Sequence, residues 1–320
     1  MIDKTKSILV LGAYGRLGKQ VINKLEESGY TNILFPTHNM CDLLNPYSYE
    51  QYFHSVKPSY VINLAAKITN INLCNHYPAS IARETVLMST AALEMCKRYE
   101  VEKLVNVISS CAYDGEASLL KEEEFLTGSP HPSIMAHGLA KRMVYFLGNS
   151  YAKQYHMNVV NVAFNTFFGH ADWSRPNSLK FLDSLIVKIV DAKLLKYKNV
   201  EIWGSGKPRR EVIYTPDAAE GLLRTFETYN KEELINVGCG VDYTIADYAN
   251  MIAQIVRYKG ELCYDKNRPD GQYQKLFSVE KQRSELDWSP PTNIKDAISA
   301  TIEDYKEFSK NRERTSYRLT

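Results

Sequence analysis

Two short segments bring together the residue types that could move a proton or hold an anion. Val107 to Tyr113 reads Val-Ile-Ser-Ser-Cys-Ala-Tyr and offers a hydroxyl at Ser109 and a thiol at Cys111. His137 to Lys141 reads His-Gly-Leu-Ala-Lys and offers an imidazole and an ammonium four residues apart. Leu139, Ala140, Lys141, Arg142 and Met143 are good helix formers, with Gly138 the one poor one. On such a helix His137 and Lys141 share a face. An imidazole titrates near neutrality and can donate a proton. A like charge at Lys141 lowers its pKa and favours the neutral form, whose N–H can still polarise a carbonyl.

The surrounding elements must bring these groups together. Leu104 to Ile108 is an apolar run that reads as a buried strand, and Ser109 falls at its carboxyl end, where doubly wound parallel sheets place their chemistry. Upstream, Ser7 to Leu11 reads as a strand. It runs into Gly12-Ala-Tyr14-Gly15-Arg16-Leu17-Gly18 and then an amphipathic helix to about Ser28. Strand, glycine turn and helix form the context in which glycines let the backbone approach a pyrophosphate and a helix N-terminus supplies N–H groups. The second strand, Asn32 to Phe35, leads into Pro36-Thr37-His38-Asn39. A carboxylate there would bind a ribose diol, and none is present. Arg16 and His38 can instead face a 2′-phosphate, which points to NADPH, with NADH as the alternative. A third strand, Tyr60 to Leu64, ends in Ala65-Ala66-Lys67, where small residues let the chain pass close to the cofactor.

Helices are expected over 78–98 and 137–155, with a strand from Asn158 to Ala163. Beyond Gly169 the alternation of strand and helix breaks down. A helix over 178–192 carries Lys180, read as an exposed helix lysine, and Lys188. A strand Glu201–Trp203, a turn over 204–208 and a strand over 209–214 leading back follow. Helix 245–256, strand 261–264 and a closing helix over 294–308 complete the chain. The fold class is α/β. A dinucleotide domain is expected over 1–168 plus approximately 208–240, and a smaller interleaved α/β substrate-binding domain over approximately 169–207 and 241–320.

Composition narrows the setting. The chain has 320 residues, 44% of them hydrophobic and 24% charged, with a formal net charge of +2. These values suit a soluble globular protein and give no global reason to expect nucleic acid or a membrane surface. No apolar run approaches a membrane span, and the first strand is too short for a signal-peptide core. The six cysteines show no paired spacing that suggests zinc or a disulfide framework, so a reducing cytoplasm and no metal site are expected. The acid run Lys121-Glu-Glu-Glu124 reads as a solvated face.

Several motifs, in order along nearly the whole chain, resemble those of the extended short-chain dehydrogenases/reductases, and among them the GDP-L-fucose synthases. They are the glycine turn 12–18, Asn63-Leu64-Ala65-Ala66-Lys67, Ser109-Ser-Cys111-Ala-Tyr113, Ala140-Lys141-Arg142, Trp203-Gly-Ser-Gly-Lys-Pro-Arg-Arg210 and Pro269-Asp270-Gly271 with Lys275. The resemblance implies a Rossmann-type doubly wound sheet and a nucleotide-sugar substrate. It implies Asp42-Leu43 against an adenine, Ser109 and Lys141 in the catalytic set, and Cys111 as an epimerisation residue. Trp203, Arg210 and Lys275 match positions around the nucleotide diphosphate, Lys188 a basic substrate residue, and Asn165 a residue near the sugar. The chain departs from the pattern twice. His137 stands where the family has its catalytic tyrosine, and Lys180 falls where fucose synthases have an epimerisation histidine.

The implied activity is reduction of the 4-keto group of a GDP-linked deoxyhexose or heptose for a surface glycan, without epimerisation at C3 or C5, by a homodimer paired through helices 78–98 and 137–155. Two other readings stay open: an epimerase or dehydrogenase that keeps NAD(H) tightly bound, and a non-catalytic nucleotide-sugar binder.

Overall fold

The computed structural model describes residues 2–67, 70–268 and 270–316. Along the first half, β1 (Ile8–Leu11), α1 (Arg16–Glu27), β2 (Ile33–Leu34), α2 (Pro46–Val56) and β3 (Tyr60–Asn63) alternate. α3 (Ile71–His76), α4 (Pro78–Arg98), β4 (Lys103–Ser109), α5 (Met135–Tyr155) and β5 (Val159–Phe164) follow. The chain then gives β6 (Thr166–Phe168), α6 (Phe181–Leu194), β7 (Asn199–Trp203), β8 (Arg209–Arg210), β9 (Val212–Tyr214), α7 (Thr215–Thr228) and β10 (Ile235–Val237). It closes with β11 (Tyr243–Thr244), α8 (Ile245–Val256), β12 (Glu261–Asp265), β13 (Gln274–Lys275), α9 (Glu280–Leu286) and α10 (Ile294–Ser316).

Six strands form one parallel sheet in the order β10-β5-β4-β3-β1-β2. β1 and β5 are buried at every position, as expected of strands covered on both faces. Successive side chains of β1 feed different cores. Ile8 and Val10 join the cluster under α1 and α7, whereas Leu9 and Leu11 join the cluster under α2 and α4. A separate core of α6, α8 and α10 side chains, with Val200 and Ile202 of β7, lies in the later part of the chain. There β7 pairs with β12, and β8 lies between β11 and β13.

The expected strand over 209–214 is split. β8 and β9 belong to different sheets, and Glu211 between them is fully buried. Its carboxylate accepts from Asn165 Nδ2 at 3.0 Å and from the backbone N–H groups of Cys239, Gly240 and Phe277, which is how a buried acid is accommodated. The helix expected over 178–192 also starts late. A 3₁₀ turn, Pro176–Ser178, and extended Leu179 precede it, so Lys180 is the residue that caps α6. Nor is the acid run 122–124 wholly solvated, because Glu122 Oε1 accepts the N–H of Asn236 at 3.0 Å. Pro269 of the last motif lies outside the described residues.

Candidate active site

The glycine turn is built by close approach. Gly12 has φ +80°, and a Cβ there would meet Ala65 N and Leu64 C at 2.9 Å, so the end of β3 packs directly on the turn. A Cβ on Gly18 would meet Gly12 O at 2.4 Å, which explains the third glycine. Gly15 caps α1 without a side chain, and the first turn holds no acid. The first-turn N–H groups are therefore not claimed by a side-chain cap, no carboxylate there would repel an anion, and the cradle fits a dinucleotide pyrophosphate. Leu17 is buried, whereas Tyr14 and Phe35 are exposed and meet edge to face with centroids 6.5 Å apart. His38 is exposed, its Nε2 3.7 Å from Asp42 Oδ2. Asp42 Oδ1 accepts the Leu44 N–H while Leu43 is buried. Lys67 pairs with Glu84 at 2.8 Å. Arg16 is turned the other way: Nη1 donates to Phe167 O at 3.1 Å and to Asp183 Oδ2 at 2.6 Å.

At the end of β4, Ser109 Oγ accepts the Cys111 N–H at 3.2 Å and starts a 3₁₀ turn. α5 packs straight onto that turn. A Cβ at Gly138 would meet Cys111 O at 2.4 Å and Pro130 Cβ at 2.6 Å, so the poor helix former is there for contact. His137, in the first turn of α5, is 8% exposed, and its Nδ1 is buried without a hydrogen-bond partner. Burial, then Lys141, Lys180 and Lys275, lower its pKa to about 3, so the ring is neutral throughout the working range. A buried orphan lone pair is more common than a buried orphan N–H, which favours the tautomer with hydrogen on Nε2. Lys141 Nζ donates to Val107 O at 2.7 Å, and burial lowers its pKa to about 8.

Cys111 faces cations. Burial raises its pKa, but Lys275, whose Nζ is 3.3 Å from Sγ, together with Ser109 and Lys180, outweighs this and leaves it below the ordinary thiol value. Lys180 is half-buried against Cys111 and Cys74 rather than exposed on a helix, and burial lowers its pKa. Lys275 and Arg210 are register partners on adjacent strands. Arg210 Nη1 donates to Arg209 O at 2.7 Å and Tyr273 O at 3.3 Å, while Nη2 reaches Asp270 O at 3.5 Å. Asp270 in turn holds Ser205 of the glycine-rich turn through two hydrogen bonds. Trp203 is 53% exposed, with Lys188 Nζ 5.4 Å and Arg268 Cζ 4.8 Å from its ring centroid. Trp203 Nε1 donates to Glu201 Oε1 at 3.1 Å and Lys188 Nζ to Glu201 O at 3.0 Å, so both are engaged on β7. Asn165 is buried, accepting from Ser110 Oγ and donating to Glu211, both at 3.0 Å.

Three residues of this neighbourhood carried no usable sequence signal. Cys74 packs beside Cys111, Ile81 and Ile134, although the two cysteines are far apart in the chain. Asp183 is a buried acid in what reads as an ordinary amphipathic helix. His131, from the loop before α5, has its pKa lowered by burial and then by Lys275, with Arg210 adding to this. It lines a cleft of about 250 Å³ with Glu116, Gln272 and Tyr273.

Residues 8–238 match the NAD dependent epimerase/dehydratase family, and the chain belongs to it. It is 32% identical to a putative GDP-L-fucose synthase 2 of Arabidopsis thaliana over 96% of this chain and 94% of that protein. In structure it resembles a GDP-6-OMe-4-keto-L-xylo-heptose reductase from C. jejuni, with TM-score 0.89 and 27% identity, over 96% of this chain and 99% of that one. A GDP-mannoheptose C4 reductase from Campylobacter jejuni with NADP bound gives TM-score 0.87 and 28% identity, over 96% and 100%.

Proposed function

We propose that this family member reduces the 4-keto group of a GDP-linked deoxyhexose or heptose with NADPH. The observation that carries the reading is the cluster of Lys141, Lys180 and Lys275, with Arg210, around a neutral His137 and Cys111 beside a glycine turn. Cations at that density suit a substrate with two phosphates, and arginine suits bidentate contact with them. Trp203, Arg210 and Lys275 are the residues for the nucleotide diphosphate, Lys188 is a basic residue for the substrate, and Asn165 is a support behind the sugar site. The glycine turn, Asp42, Leu43 and the Leu64-to-Lys67 segment would hold the dinucleotide, with His38 turned to a 2′-phosphate. When bound, NADPH supplies the hydride. The Nε2–H of His137 and the Ser109 hydroxyl polarise the ketone oxygen, and Lys141 holds a proton available to it up to a pH of about 8. Similarity to the two reductases and the fucose synthase supports a GDP-sugar substrate and, through one of them, NADP.

A second reading is favoured by the position of Lys180. Epimerisation beside a ketone needs an acid and a base on opposite faces, and a depressed Cys111 thiol facing Lys180 could form such a pair. Mixing the protein with NADPH and GDP-4-keto-6-deoxymannose or a GDP-4-keto-heptose in deuterated solvent separates the readings. Oxidation of NADPH with no deuterium at C3 or C5 is the expected result. Deuterium at those carbons supports the second reading, and no oxidation with either sugar contradicts the first.

A homodimer is part of the proposal. Leu139, Met143 and Phe146 form an exposed stripe on α5, which packs against α4 with exposed Leu87. Phe146→Glu should shift the mass in light scattering to that of a monomer.

A further inference from the structure

The Arg16 side chain leaves the first residue of α1, where the glycine turn would meet a pyrophosphate. It ends outside that turn, on β6 through Phe167 O and on α6 through Asp183. Asp183 is completely buried and satisfied from three sides. Oδ2 takes Arg16 Nη1 at 2.6 Å, Oδ1 takes the Gly169 N–H at 3.1 Å, and the Lys180 backbone N–H also donates to the carboxylate. The last contact is that of a third-position acid reaching back to the residue that caps its helix. Asp183 thereby fixes the backbone at Lys180, whose ammonium faces Cys111. A buried carboxylate tolerates the loss of its cation poorly, so the start of α6 depends on where Arg16 is held.

We propose that Arg16 and Asp183 are a positioning pair that carries occupancy of the glycine turn to Lys180 beside Cys111. The inference rests on the reading that the glycine turn binds a dinucleotide. Filling the turn firms the first turn of α1, holds Arg16 on Asp183 and keeps Lys180 close to the thiol. Neither residue touches the reacting atoms, and both act through Lys180. The groups that face Cys111 are Lys180, Lys275 of β13, Arg210 of β8, Cys74 of α3 and the Ser109 hydroxyl. Only Lys180 is tied to Asp183 through its own backbone.

The test measures Cys111 alkylation by iodoacetamide across pH, followed residue by residue by mass spectrometry on the full chain. The probe is 2′-phospho-ADP-ribose, which fills the glycine turn without placing a nicotinamide charge near the thiol. In the wild type it should lower the alkylation midpoint of Cys111. In Arg16→Met the midpoint should start higher, by about one unit, and stop responding to the probe. Asp183→Asn, which keeps a side-chain oxygen for the Gly169 N–H, should move it in the same direction, and thermal melting establishes that each variant is folded. A probe response that persists in both folded variants overturns the proposal, as does a wild type that binds the probe by calorimetry without any shift. If the wild type binds no probe, the functional reading fails, and the midpoints of the unliganded proteins alone decide whether the pair positions Lys180.

Discussion

Two buried lysines serve the two ends of β4, Lys103 from the strand itself and Lys141 from α5, and they are satisfied in different ways. At its amino end Lys103 is 1% exposed, and Nζ donates to Phe226 O and Tyr229 O at 2.6 Å and to Asn230 Oδ1 at 2.9 Å. These oxygens lie at and just beyond the end of α7, so the ammonium closes carbonyls that would otherwise lack partners. Toward the carboxyl end Lys141 is 6% exposed and has one acceptor among the described residues, Val107 O at 2.7 Å. Burial lowers both pKa values to about 8. Burial and pKa therefore do not distinguish Lys103 from Lys141, the lysine proposed to act in the reaction. The number of unfilled donors does. Lys103 uses all three of its N–H groups within the protein, whereas Lys141 retains two that can face a ligand.

That contrast can be broken by substitution. Lys141→Met should lower hydride transfer by about 10²- to 10⁴-fold while the protein melts no lower than wild type, since the change removes a poorly satisfied buried charge. Lys103→Met should do the opposite. It leaves α7 carbonyls unpaired, costs about 3 kcal/mol in denaturant unfolding, and preserves turnover per folded molecule. A large activity loss in Lys103→Met, with Lys141→Met active, would invert the assignment. Gly138→Ala sharpens the same boundary, because its Cβ would push on Cys111 O. A cost of about 1–3 kcal/mol, felt in kcat more than in KM, is expected from displacing the Ser109–Cys111 turn. The smallest effect should come from exposed His38, where His38→Ala should raise KM for NADPH a few-fold and leave NADH unchanged.

Much of the part of the chain that forms the six-stranded sheet was legible because its signals are local. The Gly12, Gly15 and Gly18 spacing, the apolar runs of β1, β4 and β5, and the four-residue step from His137 to Lys141 all follow from backbone geometry. α4 and α8 fall over the helices expected at 78–98 and 245–256. What was missed depends on contacts between distant segments. Lys180 and Asp183 sit on a pattern that reads as an exposed helix start, and only contacts from distant segments change that: Arg16 and the Gly169 N–H on Asp183, and Cys111 and Cys74 beside Lys180. Glu211 interrupts what looks like one strand because its acceptors are filled by residues 165, 239, 240 and 277. His131 and Cys74 become neighbours of the site only through Lys275, Arg210 and Cys111. The Gly138 requirement is likewise invisible until the Ser109–Cys111 turn lies against α5.

The most direct test of the account is the pH dependence of single-turnover hydride transfer at saturating NADPH and GDP-4-keto sugar. A neutral His137 with a pKa of about 3 does not titrate above pH 5, and Lys141 loses its proton as pH rises through about 8. The rate should therefore be flat from about pH 5 to 7.5 and fall above about 8, with the alkaline limb altered in Lys141→Met. A fall centred near pH 6.5 that disappears in His137→Gln would show an imidazolium donating the proton, and would contradict the account.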